Sequence, residues 1–127
     1  MDTSLSIAEA ARATGLSAHT LRYYEQIGLI AKIGRRSGAR RYGADDMRWL
    51  DFLVRLRATG MPVRDMLRYA QLLRQGNARE NVAERQAILE EHARRLEQNI
   101  RTLGETLDYI HAKIRTYGAQ QVARKRA

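Results

Sequence analysis

The fold of this chain is organised around the stretch TLRYYEQIGLI, residues 20–30. Ser17 is a good N-cap for a helix here, because its hydroxyl can accept a hydrogen bond from an otherwise unpaired backbone N–H. Leu21, Tyr24 and Ile27 recur at the spacing of one helix face and are predicted to face inward. The stretch is therefore predicted to form a short amphipathic helix.

The outward face of this helix and the loop after it are basic. Arg22 and Tyr23 point outward, with Gln26 one turn later. The loop over residues 31–42 has no acidic residue, and its basic residues are Lys32, Arg35, Arg36, Arg40 and Arg41. An arginine and a tyrosine beside an arginine-rich loop suit a phosphate-lined groove. This end of the chain is predicted to bind DNA.

Composition supports a polyanionic partner. The chain has 127 residues, enough for one small domain with an accessory element, and a formal charge of +9. This charge favours nucleic acid or an anionic membrane surface, although a soluble protein with a plain basic surface remains the alternative. The positive excess is concentrated in the loop and at the C-terminus, which favours a localised partner.

Several classes of protein are excluded or disfavoured by composition. There is no cysteine, which excludes disulfides, thiolate metal sites and cysteine nucleophiles. No apolar run approaches a membrane span, and the N-terminus has no apolar signal region, so we expect a cytoplasmic protein with no membrane partner. Apolar spacings of three and four with a single proline predict an all-α fold.

The N-terminal residues predict a helix-turn-helix. Ser6 and Glu9 fit a capping box at the start of a first helix, which is predicted to end near Ala13. Gly15 then supplies a turn before the helix capped by Ser17. A short helix, a glycine-containing turn and a second helix are the ingredients of this DNA-binding motif.

The basic loop has two interpretations. Its helix-interrupting glycines are Gly34, Gly38 and Gly43. It is either a disordered linker or a short hairpin, a wing, that presents Arg36, Arg40 and Tyr42 to the DNA backbone. We favour the wing, because Tyr42 and the flanking glycines suit a structured turn.

Two further helices are predicted after the loop. The third is capped by Asp45 or Asp46 and runs to about Ala58. Pro62 opens the fourth, predicted over Val63 to Gln75, since proline is favoured in a first helical turn. Arg64 near its start is either a phosphate contact or a solvated arginine.

The last stretch carries a heptad pattern of apolar residues, here called the seam. The seam residues are Leu89, Ala93, Leu96, Ile100, Leu103, Leu107, Ile110, Ile114 and Tyr117. A helix from about Asn81 to Tyr117 would be roughly 55 Å long, too long to bury its seam against a globule of roughly 80 residues. We therefore predict an obligate homodimer through a two-stranded coiled coil. Gly118 is predicted to end the helix, leaving residues 119–127 as a basic flexible tail.

No catalytic or metal-binding arrangement is apparent. His19, His92 and His111 are far apart in sequence, and no nucleophile–base pattern or metalloprotease motif is present. We predict neither an enzyme nor a cofactor nor a metal site.

The motifs together resemble the MerR family of transcriptional regulators. The resemblance is carried by the runs SIAE, TGLS, TLRYYE and GLI in the first 30 residues and by GARRY at residues 38–42, and extends to about Tyr117. It implies DNA contacts from the second helix and the wing. With His19 and Arg64 added, the predicted DNA-binding set is Ser17, His19, Thr20, Arg22, Tyr23, Arg36, Arg40, Tyr42 and Arg64.

The resemblance also implies a mechanism. Family members form antiparallel coiled-coil dimers on pseudo-palindromic promoter operators and change the shape of the DNA for RNA polymerase when an effector arrives. The small aldehyde-responsive subgroup is the most similar, but Arg55 lies near the place of its reactive thiol. Either an effector pocket lies at Trp49, Phe52, Arg55 and Tyr69, or there is no effector at all. Trp49 and Phe52 suit a plain core better than a pocket.

The predicted organisation is a winged helix-turn-helix domain over residues 1–76, a dimerisation helix over 77–118 and a tail over 119–127. The predicted function is a dimeric, sequence-specific transcriptional regulator. An architectural DNA-binding protein of the same shape is one alternative. A coiled-coil interaction module, whose basic loop binds an acidic protein or a membrane, is another.

Overall fold

The computed structural model describes residues 3–126. Five helices and one small antiparallel hairpin follow along this part of the chain, close to the predicted order. Their bounds are α1 (Ile7–Thr14), α2 (Ala18–Gln26), β1 (Arg35–Arg36), β2 (Ala39–Arg40), α3 (Ala44–Ala58), α4 (Val63–Arg74) and α5 (Arg79–Arg126). The mostly helical fold with a small wing sheet confirms the predicted fold class.

The helix-turn-helix begins with the predicted capping box. The Ser6 N–H donates to Glu9 Oε1 at 2.9 Å, and the Glu9 N–H donates to Ser6 Oγ at 3.2 Å. The backbone hydrogen bond from Ser6 is the main reason that the pKa of Glu9 is lowered. Gly15, with φ of 75°, adopts the left-handed conformation that ends α1 and turns the chain into α2.

A compact apolar core lies under α2, α3 and α4. Its largest fully buried side chains are Tyr42, Leu21, Leu29, Leu50, Leu53 and Met66. The turn after α2 is tied to α3, because Trp49 Nε1 donates to the Leu29 carbonyl oxygen at 2.9 Å. Arg57 Nη1 donates to the Tyr24 hydroxyl at 3.0 Å. These bonds hold the inward face of α2 on the core.

The start of α3 differs from the prediction in one detail. Gly43 is the N-cap residue, and its N–H donates to Asp46 Oδ2 at 2.8 Å. Asp46 therefore reaches back from the first turn and is not itself the cap. The predicted end at Ala58 is confirmed.

The turn between α4 and α5 is held by side-chain hydrogen bonds. Asn81 Nδ2 donates to the Leu72 carbonyl oxygen at 2.7 Å. Arg85 donates to Asn81 Oδ1 at 2.8 Å and to Asn77 Oδ1 at 2.7 Å. These bonds satisfy backbone and amide groups that the end of one helix and the start of the next leave unpaired.

The predicted end of the long helix is wrong. The structure continues α5 as a helix of 48 residues through Gly118 to Arg126. A glycine inside a helix costs only about 1 kcal/mol relative to alanine, and Ala119, Gln120 and Gln121 after it favour a helix. The predicted flexible tail is thus helical over residues 119–126, and Ala127 lies outside the described residues.

The chain divides into two compact units, Met1–Ile88 and Leu89–Ala127. The boundary lies within α5, because the first turns of this helix are bonded to the α4–α5 turn. The first unit contains the winged helix-turn-helix. The second unit contains the seam from Leu89 onward.

Candidate nucleic-acid interface

The recognition face is the outward face of α2. Ser17 Oγ accepts from the Thr20 N–H at 3.0 Å and donates to Thr20 Oγ1 at 2.9 Å, so these two predicted contact residues also build the helix cap. The side chains of His19, Arg22 and Tyr23 are exposed, and none of these three side chains has a hydrogen bond or ion pair within residues 3–126. Three neighbouring polar side chains are therefore available to a partner.

The wing is a structured hairpin, as the sequence favoured. Arg35 pairs with Arg40 and Arg36 with Ala39 across two antiparallel strands. Ser37 and Gly38 have φ of 52° and 80°, which places both in the left-handed conformation that a tight turn requires. Arg36 is exposed at the start of this turn. The wing therefore presents a cation beside the recognition face.

Arg40 has a role that the sequence did not predict. Its Nε donates to Glu25 Oε1 at 2.9 Å, and the two side chains are only 22% and 13% exposed. Because Glu25 belongs to α2, this ion pair joins the wing to the recognition helix. The predicted phosphate contact of Arg40 stays a prediction, but one of its donors already holds the wing in place.

The predicted exposure of Tyr42 to the DNA backbone is wrong. Tyr42 is fully buried, and its hydroxyl has no hydrogen-bond partner among residues 3–126. Burial is the main reason that the pKa of Tyr42 is raised. Its backbone forms two hydrogen bonds of 2.8 Å with Leu5, and this pairing draws the ring into the core. The pairing joins distant residues, so no local pattern revealed it.

The neighbouring Arg41 was missed as a structural residue. Its Nε donates to Ser4 Oγ at 3.0 Å, and its Nη2 donates to the Ser4 carbonyl oxygen at 2.7 Å. The base of the wing is thus fastened to the N-terminal segment. Arg41 therefore stabilises the position of the wing through the N-terminal segment, whereas Arg36 is exposed on the wing.

Arg64 lies at the start of α4, and its side chain is exposed, without an ion pair or hydrogen bond among the described residues. Its predicted phosphate contact remains open. The contact would come from the first turn of a helix, where backbone N–H groups also favour an anion.

Three of the four predicted effector residues lie together. The rings of Trp49, Phe52 and Tyr69 have centroid distances of 5.7–6.0 Å. Arg55 is exposed and pairs with Asp51 at 3.1 Å. The three aromatic side chains thus pack against one another between α3 and α4. The role of the four residues in binding an effector stays a prediction.

No group of three or more acidic, histidine or cysteine side chains within residues 3–126 is placed to hold a metal ion. Over the same part of the chain, every helix is too short or too polar to cross a lipid bilayer.

The hairpin beside an exposed recognition helix defines a winged helix-turn-helix of a DNA-binding regulator. The family model for MerR HTH family regulatory proteins matches residues 5–73, which include α1 to α4 almost completely. The chain belongs to the MerR family and is a MerR-type transcriptional regulator.

Individual relatives agree with this assignment. AdhR of Bacillus subtilis, an HTH-type transcriptional regulator, is 38% identical over 93 residues. The aligned stretch covers 68% of this chain and 66% of AdhR, just under two thirds of that protein.

Two solved structures are similar over nearly the whole chain. A MerR family protein from Listeria monocytogenes has a TM-score of 0.85 and 35% identity, with coverage of 96% of this chain and 92% of that one. HiNmlR, a MerR family regulator that lacks the sensor domain, was solved bound to promoter DNA. It has a TM-score of 0.83 and 31% identity, and 94% of each chain is covered.

Proposed function

We propose that the chain acts in the cytoplasm as a homodimer that binds a pseudo-palindromic promoter operator and presents the promoter to RNA polymerase. Each copy contributes one recognition helix and one wing. The observation that carries the proposal is that one chain has both a polar face on α2 and an exposed apolar seam on α5, and that residues 3–126 of the same chain supply a partner for neither. HiNmlR bound to promoter DNA supports the choice of ligand.

The seam argues for a second copy. From Ile100 onward its apolar side chains are exposed, with Leu103 at 69%. The exposed members are Ile100, Leu103, Leu107, Ile110, Ile114 and Tyr117. Burying one such side chain is worth about 1.5–3 kcal/mol, so together they represent on the order of 10 kcal/mol. This is comparable to the whole stability of a domain, and a second copy supplies a matching seam.

The charges along α5 favour an antiparallel pair. Acidic residues occur from Glu80 to Asp108, and none follows Asp108. The basic residues after that point are Lys113, Arg115, Arg124, Lys125 and Arg126. A parallel pair would set these two basic ends side by side. An antiparallel pair sets each basic end beside the acidic part of its partner, where the charges attract.

A rigid dimer with two recognition helices explains how the protein would act through the shape of the DNA. Two recognition helices joined through one coiled coil contact both half-sites only when the DNA adopts the matching geometry. Deforming a site of this size costs roughly 1–6 kcal/mol. An effector coupling of about 1–3 kcal/mol is enough to shift the balance between two promoter shapes. The effector is unidentified.

Selection of bound sequences from random duplex DNA tests the proposal. We expect an inverted repeat with fixed spacing, protected as one discrete footprint. Coating of DNA without a preferred sequence would instead indicate the architectural alternative. A log affinity independent of log salt would indicate the interaction module, because phosphate contacts release counterions.

The assembly requires its own measurement. Sedimentation equilibrium of the full chain at micromolar concentration is expected to give a dimer. A well-folded monomer under these conditions would contradict the proposal, because one copy has only one recognition helix and one wing.

A further inference from the structure

A half-open cavity of about 180 Å³ lies in the first unit, between the loop after α2, the start of α3 and the end of α4. Its walls are apolar, formed by Ile30, Ile33, Leu50 and Leu73, and Trp49 forms one side. The cavity is distinct from the predicted effector residues, of which only Trp49 contributes. Neither the recognition face nor the seam uses it.

The size of the cavity limits its occupant. A cavity of about 150 Å³ with similar walls holds one benzene ring. Ala31 and Ala70 line the space here, and their small side chains leave it open. The geometry therefore suits one small ring beside Trp49.

The rim supplies a charge. Asp45 is paired with Arg48, and Asp46 accepts the Gly43 N–H. The Arg74 side chain, by contrast, makes no hydrogen bond or ion pair with any residue in the described range 3–126. Its Nη1 lies 3.7 Å from the point where a Cβ on Gly28 would stand. The one rim charge that lacks a partner is thus a guanidinium, whose planar fork matches a carboxylate.

We propose that this cavity binds a small aromatic carboxylate, with the ring against Trp49 and the carboxylate on Arg74. The walls belong both to the loop that leads into the wing and to α4. A ligand that binds one position of this loop more tightly shifts the wing toward that position. By linkage, it changes operator affinity. This second step rests on the proposed function, whereas ligand binding does not.

Benzoate is the probe, and benzamide is its uncharged counterpart. Trp49 is the single tryptophan, so its fluorescence in the full chain reports on the cavity. We expect benzoate to bind saturably and at least ten-fold more tightly than benzamide. Arg74→Gln should remove this difference, and Arg12→Gln, an exposed arginine on α1, should leave it unchanged. Equal binding of the two compounds would overturn the charge assignment.

Filling the cavity provides the second test. Ala70→Leu should abolish benzoate binding, but Ala70 is buried and the variant perturbs the core. Ala31→Leu fills the mouth from the exposed side and should give the same loss. Binding that persists in a folded Ala31→Leu variant would overturn the site, as would the absence of saturable binding to the wild-type chain.

Operator affinity is measured separately, with and without saturating benzoate. A change of at least three-fold supports the regulatory step, and no change overturns it. A chain that binds benzoate but no operator would refute the proposed function and leave the cavity assignment standing.

Discussion

The two compact units treat their apolar side chains in opposite ways. The first unit buries Leu21, Leu50 and Met66 completely and leaves a polar face on α2. The second unit exposes Leu103 and Leu107 along one face of a helix. The first unit therefore has an apolar core of its own, whereas the apolar face of the second unit is exposed. The difference fits the proposed function, in which the polar face binds DNA and the exposed apolar seam packs against a second copy.

The largest expected effect is on the seam. Leu107→Asp removes one apolar side chain from each helix of the dimer and puts a charge in its place. Because each side chain is worth about 1.5–3 kcal/mol, the dimer dissociation constant should rise at least 100-fold. Sedimentation equilibrium measures the change. Thr102→Asp, on an exposed position off the seam, is the matched control. A stable Leu107→Asp dimer would show that the seam is not the contact surface.

The next effect is on the recognition face. Arg22→Ala removes one base contact from each copy of the dimer, each worth about 1–3 kcal/mol, so operator affinity should fall about 30-fold or more, while the dimer and the unfolding midpoint stay the same. Fluorescence anisotropy with labelled operator measures the affinity. Arg12→Ala on α1 removes an equal charge away from the face and should have little effect. Unchanged binding by Arg22→Ala would remove α2 from the reading role.

A smaller effect is expected where the wing meets the recognition helix. Glu25→Gln weakens the half-buried pair with Arg40, and the free energy of unfolding should fall by about 1–3 kcal/mol. Operator affinity should also fall several-fold, because the wing loses its fixed position. Asp51→Asn breaks the exposed pair with Arg55 and should cost less than about 1 kcal/mol. Equal losses in the two variants, measured by urea unfolding, would deny Glu25 a positioning role.

The smallest effect tests the buried hydroxyl of Tyr42. Tyr42→Phe removes a polar group that has no partner, so the free energy of unfolding should rise by about 1 kcal/mol. Burial raises the pKa of Tyr42 above its ordinary value of 10.0, so the unfolded chain releases this proton first. The part of the free energy of unfolding that is linked to this proton should be fully present below pH 10. It should be lost as the pH rises above 10 and through the raised pKa of the folded state.

The Phe variant should lack this part of the alkaline loss, which unfolding curves at several pH values would reveal. Operator affinity should stay unchanged. A marked drop in affinity would restore Tyr42 to the DNA interface.

Local patterns predicted the helices well, and contacts between distant residues were where they failed. Ser6 with Glu9 and the apolar spacing of α2 involve neighbours, so the first two helices followed directly. Gly118 misled, because one poor helix residue is tolerated when its neighbours favour the helix. At the candidate site, the exposure of Arg22 and Tyr23 was predictable from helix periodicity. The burial of Tyr42 was not, because Leu5 decides it from far away in the sequence.

The sequence by itself determined the helical class, the basic polar face and the seam. Charge, capping and heptad spacing depend only on residues a few positions apart in the chain. Only the tertiary structure decided that Arg40 holds the wing, that Tyr42 lies in the core and that the Arg74 side chain lies at a cavity with no partner among the described residues. Each of these depends on which residues meet across the fold. Such meetings are set by the packing of whole elements, which no short stretch of sequence specifies.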